Sequence, residues 1–226
     1  MVKHRKQVGT DGEYAPSFLT TYGSDKLINE SMAHPKAVSN QLRHHVEAWL
    51  GEISPGTRVY TKDHSGLDLI SLGFAFSSSL GETKHFRSTN VGFGISYILP
   101  IILVLLSAKP GSLILLENPE AHLHPHGQVK MGELLALASE NGVQILVETH
   151  SDHLLNGIRL AVHGGHISPD NVGLSFFQRE QTGGSISANI SSPKIDRAGR
   201  IDFWPEGFFD ETEKALRQLM RPPVND

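Results

Sequence analysis

Acidic and polar side chains follow two short apolar segments in the middle of the chain. Glu117 and Asn118 come directly after the first segment, and Glu148 and His150 come after the second. Short apolar runs rich in Leu, Ile and Val are typical of buried strands. A carboxylate at the tip of a rigid strand suits a hard cation such as Mg²⁺, which takes oxygen ligands from one or two carboxylates and from phosphates.

The second strand tip adds a histidine to this pattern. A neutral imidazole just past a buried strand, as at His150, can hydrogen-bond a γ-phosphate or orient a water molecule. Considered one at a time, these residues have a simpler interpretation, in which His150 is an ordinary surface residue and Glu117 and Glu120 are loop carboxylates that cap the following helix. Two such tips one helix apart favour a shared site instead.

The order strand, helix, strand, helix, strand predicts the α/β class with a parallel sheet. We expect strands over residues 112–116 and 143–147, a helix over 128–139 between them, and a helix cap at Ser151 or Asp152. Ligands of parallel sheets bind at the carboxyl ends of the strands, where both polar tips fall.

The rest of the chain gives weaker patterns. In the first part of the chain, the sequence predicts an irregular first thirty residues, a helix over 35–50 that Gly51 stops, a hairpin or meander over 58–76 and a loop over 77–90. A glycine turn then leads into an apolar helix that ends near Ser107. Towards the C-terminus, we expect strands over 172–177 and 186–190 joined through Gly183 and Gly184, and a short amphipathic helix over 211–220.

Composition limits the class of protein. The 226 residues are 38% hydrophobic and 19% charged, with a formal net charge of −4, which gives no global basic field for nucleic acid. Without cysteine, disulfides and thiolate metal sites are excluded and a reducing cytoplasm is permitted. The longest apolar run contains Pro100 and is shorter than the roughly 20 residues that span a bilayer, so we expect a buried helix, no membrane contact and a cytoplasmic location. The basic residues Lys3, Arg5 and Lys6 precede no apolar stretch, which is unlike a secretory signal and predicts a solvated tail.

Two motifs carry a family resemblance. Residues 113–125 read LILLENPEAHLHP, and residues 149–156 read THSDHLLN. The first resembles the magnesium strand of ABC-class and SMC-like AAA-family ATPases, in the group that includes overcoming-lysogenization-defect proteins and ATPase subunits of anti-phage systems; the second resembles their switch loop. Residues 90–96 (NVGFGIS) resemble a degenerate signature motif, and residues 8–13 and 199–210 resemble segments of one bacterial subfamily.

The resemblance implies an ABC-type ATPase head of which this chain is the C-terminal half. Residues 1–90 are then a small N-terminal α+β portion, and residues 91–226 form the C-terminal lobe. ATP and Mg²⁺ are the implied cofactors. The implied partners are a Walker A-bearing N-terminal half or second ATPase subunit, a nuclease and DNA, with two heads in a head-to-tail dimer.

The resemblance also assigns residues to roles. It implies Glu117 as the magnesium ligand, and it implies that the catalytic residues are Glu117, Asn118, Glu120 and His150. The nucleotide-binding residues that it implies are Gly92, Gly94, Ser96, Glu148 and Thr149.

Three departures from the family pattern matter. No Gly-x-x-x-x-Gly-Lys-Ser/Thr loop occurs, although this loop supplies backbone N–H groups and a lysine to phosphates. Asn118 stands where the family has its catalytic glutamate, and an amide orients water without accepting its proton, so we expect slow hydrolysis unless Glu120 or Glu148 serves as the base. Glu117 replaces the usual aspartate and reaches the metal through one extra methylene.

Two other interpretations stay open from the sequence. The chain can be a non-hydrolysing regulatory module derived from such an ATPase. Alternatively, His122, His124 and His126, at alternate positions of an extended segment, can converge on a metal and make the protein a metal-dependent hydrolase.

Overall fold

The computed structural model describes residues 7–64, 66–67, 69–79, 81–182 and 185–221. The basic residues near the N-terminus and the Gly183–Gly184 linker predicted above lie outside these ranges. The helices are α1 (Ala15–Tyr22), α2 (Leu42–Ile53), α3 (Phe93–Ser107), α4 (Pro125–Glu140), α5 (Asp152–His163) and α6 (Glu211–Leu219). The strands are β1 (Thr57–His64), β2 (Leu69–Ser78), β3 (Gly81–Glu82), β4 (Phe86–Arg87), β5 (Leu113–Glu117), β6 (Gln144–Glu148), β7 (Phe176–Thr182) and β8 (Ser185–Ser191).

The two strands that carry the polar tips pair in parallel. The register of β5 and β6 runs from Leu113 opposite Gln144 to Glu117 opposite Glu148, and α4 forms the crossover between them. This arrangement confirms the predicted α/β class with a parallel sheet. The next strand, β7, does not join the pair but forms an antiparallel hairpin with β8, a connection that needs only a short turn.

Helices α4 and α5 pack closely because glycines face each other. A Cβ built on Gly157 would lie 2.1 Å from the carbonyl oxygen of Val129, and one on Gly132 would lie 2.2 Å from that of Leu154. Only the absence of side chains allows this approach, which fixes the start of α5, and hence the loop before it, relative to α4.

The predicted apolar helix, α3, lies in the main core. Leu99, Ile102, Leu103 and Leu106 are fully buried, as expected of a helix that is apolar on all sides. A smaller core joins the C-terminal part to α5 through residues that include Leu155, Val162, Ile195 and Phe208. In the described part of the chain, no helix is both long enough and apolar enough to cross a bilayer.

Several boundaries differ from the predictions. The helix expected over residues 35–50 begins at Leu42, because the chain before it pairs with an earlier segment through the bridge between Lys26 and Gln41. It continues past Gly51 and ends at Ile53, because Pro55 disfavours a helical conformation at Ser54.

The irregular segments expected near the N-terminus and over residues 77–90 are partly regular. α1 was not predicted, and it begins with a proline in its first turn, where a missing N–H has no cost. β3 and β4 continue the predicted β1–β2 hairpin as two short antiparallel additions to β2. β7 starts at Phe176, so most of the strand predicted over residues 172–177 is non-strand.

Candidate functional site

The two polar strand tips lie side by side. Glu117 is opposite Glu148 in the parallel register, and the Asn118 N–H donates to the Glu148 carbonyl at 2.9 Å. Both carboxylates are exposed, at the end of the sheet where His150 is also exposed. Two like charges in neighbouring register positions repel each other, and a bound cation would relieve this repulsion.

The turn after β5 has an unusual backbone. Asn118 has φ of 45°, in the left-handed region that asparagine tolerates better than most residues. Its carbonyl accepts a hydrogen bond from the Ala121 N–H at 2.9 Å, which closes the turn. The left-handed backbone therefore gives a reason for an asparagine at position 118 that is independent of its side-chain chemistry.

The signature-like segment packs against this turn. A Cβ on Gly94 would lie 2.6 Å from the His122 carbonyl oxygen, so the glycine permits a close approach. Gly92 is the exposed residue that precedes α3, and Ser96 Oγ donates to the Ser88 carbonyl at 3.4 Å. Of Gly92, Gly94 and Ser96, the close approach to the loop that follows β5 is seen at Gly94.

Tyr97 is a residue that the sequence analysis missed. Its hydroxyl donates to the Glu117 carbonyl at 2.9 Å and approaches that of Asn118 at 3.4 Å, and its ring meets His122 edge-on. Burial, followed by the charges of Glu120 and Glu117, raises the pKa of the Tyr97 phenol, so it stays a donor. A tyrosine in an otherwise apolar helix was the available signal, because a half-buried hydroxyl usually has a partner.

Glu120 lies beneath the exposed tips. It is 7% exposed, and its Oε1 accepts a hydrogen bond from the backbone N–H of His150 at 3.1 Å. The structure therefore links Glu120 to the loop that follows β6, while Glu117 and Glu148 face outward.

The loop that follows β6 ends in a helix cap. Ser151 Oγ accepts from the Leu154 N–H at 3.0 Å, which confirms Ser151 as the residue that caps α5. Thr149 Oγ1 accepts from the Ser151 N–H at 3.1 Å, so its hydroxyl is part of the loop's own hydrogen bonding. Gln128 of α4, which the sequence analysis did not single out, accepts from Ser151 Oγ and donates to the Leu123 carbonyl.

The three neighbouring histidines do not form a metal site. His122 has φ of 63° and packs against Tyr97, and His124 precedes α4, where its Nδ1 accepts from the His126 N–H at 3.5 Å. Within the described ranges, no group of three or more histidine, cysteine or acidic side chains is placed to hold a metal. The alternate-residue geometry that would bring these imidazoles together belongs to a strand, whereas here the chain turns and enters a helix.

The tips offer oxygen donors suited to Mg²⁺. The Glu117 and Glu148 carboxylates and the Asn118 amide oxygen are hard ligands. One or two protein carboxylates are enough for a magnesium ion that takes its remaining ligands from phosphates and water. The donor set thus fits the cation that the sequence implies, provided that phosphates come with it.

Comparisons with known proteins add family information. Residues 25–156 match the family described as "AAA domain, putative AbiEii toxin, Type IV TA system". Residues 167–219 match a family described as "Protein of unknown function (DUF3696)". No curated protein matches the chain.

Solved structures similar to this chain include SMC proteins. One comes from work on ATP-driven dimerization and DNA-stimulated activation of SMC ATPases; it has a TM-score of 0.49 and 12% identity, with 93% of this chain and 99% of that chain covered. An Smc head bound to the C-winged helix domain of ScpA has a TM-score of 0.47 and 15% identity, with 84% and 48% covered. An Smc head with an extended coiled coil, bound to the C-terminal domain of ScpA and derived from Pyrococcus furiosus, has a TM-score of 0.44 and 10% identity, with 93% and 41% covered.

Proposed function

Because this chain belongs to the AAA domain family that matches residues 25–156, we propose that it is an ATP-binding ATPase component that supplies the Walker B-like carboxylate and the switch histidine of a composite site. A segment bearing a Walker A loop completes the site. The observation that carries this proposal is the pairing of two polar strand tips, with Glu117 opposite Glu148 and His150 two residues further on.

Each tip residue has a role in this proposal. Glu117 is the carboxylate on the magnesium side, and Mg²⁺ would supply charge neutralisation of the phosphates. Asn118 orients the attacking water, and His150 contacts the γ-phosphate through its exposed imidazole. Glu148 and Thr149 border the nucleotide from the second tip.

The signature-like residues belong to the same proposal. Gly92 precedes α3, Gly94 and Ser96 lie in its first turn, and Gly94 approaches the loop that follows β5. In a head-to-tail dimer they would face the nucleotide held by the other head, since backbone N–H groups at a helix start favour phosphate.

One face of the β5–β6 sheet exposes leucine side chains, and this supports the proposal that another segment covers it. Leu113, Leu115 and Leu146 are 59%, 66% and 67% exposed, whereas Ile114 between them is 8% exposed. Parallel sheets are normally covered on both faces, and a buried leucine contributes about 1.5–3 kcal/mol relative to an exposed one. We therefore place the Walker A-bearing N-terminal half or second subunit on this face, where it would reach the same strand tips.

A role in anti-phage defence, with a nuclease partner and DNA, extends the proposal. The sequence resemblance implies an anti-phage ATPase group, and the matched family's description includes the words "putative AbiEii toxin, Type IV TA system". The division into an N-terminal portion (residues 1–90) and a C-terminal lobe (91–226) is part of the same proposal.

Calorimetry and reconstitution test the composite site. Isothermal titration of the chain alone with Mg-ATP should give no micromolar binding, because the phosphate-binding loop supplies most phosphate contacts. Mixing with a separate Walker A-bearing subunit should give ATP turnover that His150→Ala lowers and that His166→Ala, at another exposed histidine, leaves unchanged. Micromolar ATP binding by the chain alone would contradict the proposal, and a stable complex without turnover would favour the non-hydrolysing module.

A further inference from the structure

We infer that Glu120 is a positioning residue whose buried carboxylate fixes the loop carrying His150 against the turn carrying Glu117 and Asn118. The contact itself lies within this chain. Its consequence for ATP turnover rests on the proposed function.

The geometry separates Glu120 from the other acidic residues. Its Oε1 accepts from the His150 N–H at 3.1 Å, a bond that joins positions 30 residues apart. Its Oε2 is buried and has no hydrogen-bond partner among the described residues. A general base must reach the attacking water, which the 7% exposure of Glu120 and the burial of its Oε2 disfavour. Of the two carboxylates that could replace a base at Asn118, the structure therefore leaves Glu148.

The bond meets a need of the loop. His150 lies beyond the last residue of β6, where the strand ladder no longer satisfies its N–H. An amide N–H that leaves the strand ladder needs another acceptor, and a side-chain oxygen of Glu120 provides it. Two consecutive backbone hydrogen bonds hold the turn that carries Glu120: Ala121 donates to the Asn118 carbonyl, and Leu123 donates to the Glu120 carbonyl.

Gln128 provides a second link between the same two loops. Its Oε1 accepts from Ser151 Oγ at 2.5 Å, and its Nε2 donates to the Leu123 carbonyl at 2.9 Å. The link holds the base of the His150 loop, at its helix cap, while Glu120 holds the His150 peptide itself. With the base of the loop held separately, removal of Glu120 should release the peptide of His150 without unfolding α5.

Conservative variants distinguish a positioning residue from a base. Glu120→Gln keeps the shape and the Oε1 acceptor but cannot take a proton. Glu120→Asp keeps the charge but withdraws the carboxylate by one methylene. Positioning predicts that Gln is tolerated and that Asp and Ala are not, whereas base catalysis predicts that Gln is as damaging as Ala.

The first experiment uses no nucleotide. Hydrogen exchange of the His150 amide, measured by NMR on the full chain, should accelerate about tenfold in Glu120→Ala and Glu120→Asp, the factor expected for loss of one hydrogen bond, and less than about threefold in Glu120→Gln. Glu140→Ala is the matched control, because Glu140 accepts from the Ser168 N–H at 3.3 Å at the other end of α4. This variant should affect the Ser168 amide and the Asn171 side chain, which also donates to Glu140 at 3.2 Å, and should leave the His150 amide unchanged. Equal His150 exchange in all variants overturns the inference. If Glu120→Ala does not fold, Glu120→Asp and Glu120→Gln still decide.

The second experiment measures ATP turnover after reconstitution with the Walker A-bearing subunit. We expect Glu120→Gln to stay within about threefold of the unsubstituted chain, and Glu120→Ala and Glu120→Asp to lose about tenfold or more, the effect of a misplaced group near the reaction. Loss in Glu120→Gln equal to that in Glu120→Ala overturns the inference in favour of a base. If the amide pattern is found but the unsubstituted complex turns over no ATP, the proposed function fails and the positioning role stands.

Discussion

Two groups of titratable side chains in this molecule differ in where their hydrogen bonds go. Near α2, His34 and His45 are buried, the His34 N–H donates to His45 Nδ1 at 3.0 Å, and Lys36 lies 2.6 Å from Glu52. At the strand tips, Glu117, Glu148 and His150 are exposed, and within the described ranges their side chains form no hydrogen bond or ion pair. There the backbone is held firmly while the reactive atoms face outward.

This difference supports the proposal that the tips, rather than the α2 group, form a binding site. The α2 group has two histidines against one at the tips and the same number of other charged side chains, yet the bonds described above lie within its own loop and helix. At the tips, the Tyr97 hydroxyl donates to the Glu117 carbonyl and Glu120 accepts from the His150 N–H, while the Glu117 and Glu148 carboxylates and the His150 imidazole stay available. Rigid support with unused functional atoms is what a preorganised site requires.

The largest expected effect concerns the missing base. In the reconstituted complex, Asn118→Glu should raise the single-turnover rate of ATP hydrolysis, because loss of proton transfer typically costs roughly 10²–10⁴-fold. The φ of 45° makes Asn118→Asp the better-tolerated companion, since aspartate also adopts this conformation.

An unchanged or lower rate in both variants would refute the hypothesis that Asn118 makes ATP hydrolysis slow. Glu148→Gln would then identify the remaining base if its rate falls further. Asn141→Asp, at the end of α4, is the control for adding a carboxylate elsewhere.

A second test compares the two faces of β5. Ile114→Ala removes a buried side chain and should lower the free energy of unfolding by about 2–5 kcal/mol. Leu115→Ala, at an exposed position, should change it by less than about 0.5 kcal/mol but weaken assembly with the Walker A-bearing subunit. Urea unfolding and a pull-down titration measure the two effects, and equal assembly of both variants with that subunit would argue against the exposed face of the β5–β6 sheet as the interface.

A third test compares a carboxylate of each group. Glu117→Gln should weaken nucleotide-dependent assembly on the order of 100-fold, as loss of a metal-site group does, and leave folding unchanged. Glu52→Gln should lower stability by less than about 1 kcal/mol, since Lys36 is exposed, and leave nucleotide dependence unchanged. Sedimentation with and without Mg-ATP, together with urea unfolding, distinguishes them. Intact nucleotide dependence in Glu117→Gln would mean that the strand has been misassigned.

Local patterns in the sequence predicted the centre of the fold. Each of these elements depends on neighbouring residues: the two apolar runs, the helix between them and the Ser151 cap. The sequence was therefore sufficient to predict the parallel strand pair and the polar residues at its end. The AAA-family resemblance was confirmed, while the roles of the tip residues stay predictions.

Long-range contacts were not predictable in the same way. The bond from Glu120 to the His150 N–H spans 30 residues, and Tyr97 reaches the tip from another helix. Nothing local shows that Glu120 faces inward while Glu117 faces outward. Similarly, α2 begins late because of a bridge to Lys26, an interaction outside any local window.

The smallest expected effect is a pH dependence that originates in the α2 group. Burial lowers the pKa of both His34 and His45 below the ordinary value of 6.5. For His34, the charge of Glu52 opposes this effect and the cations Lys36 and Lys130 reinforce it, with a lowered pKa as the result. His45 accepts the His34 N–H through Nδ1, so protonation of this nitrogen would also break that bond. The unfolded chain therefore binds protons more readily than the native chain as the pH falls through 6.5.

Stability should consequently be full above this pH and decrease below it, towards the lowered native pKa values. The Lys36 hydrogen bond lowers the pKa of Glu52 below 4.5, so its contribution disappears only in a separate, more acidic range. Urea midpoints between about pH 8 and about pH 5 measure the first decrease, and His45→Gln should flatten it because glutamine does not titrate. A slope that His45→Gln leaves unchanged would mean that the α2 group is not the origin of this pH dependence.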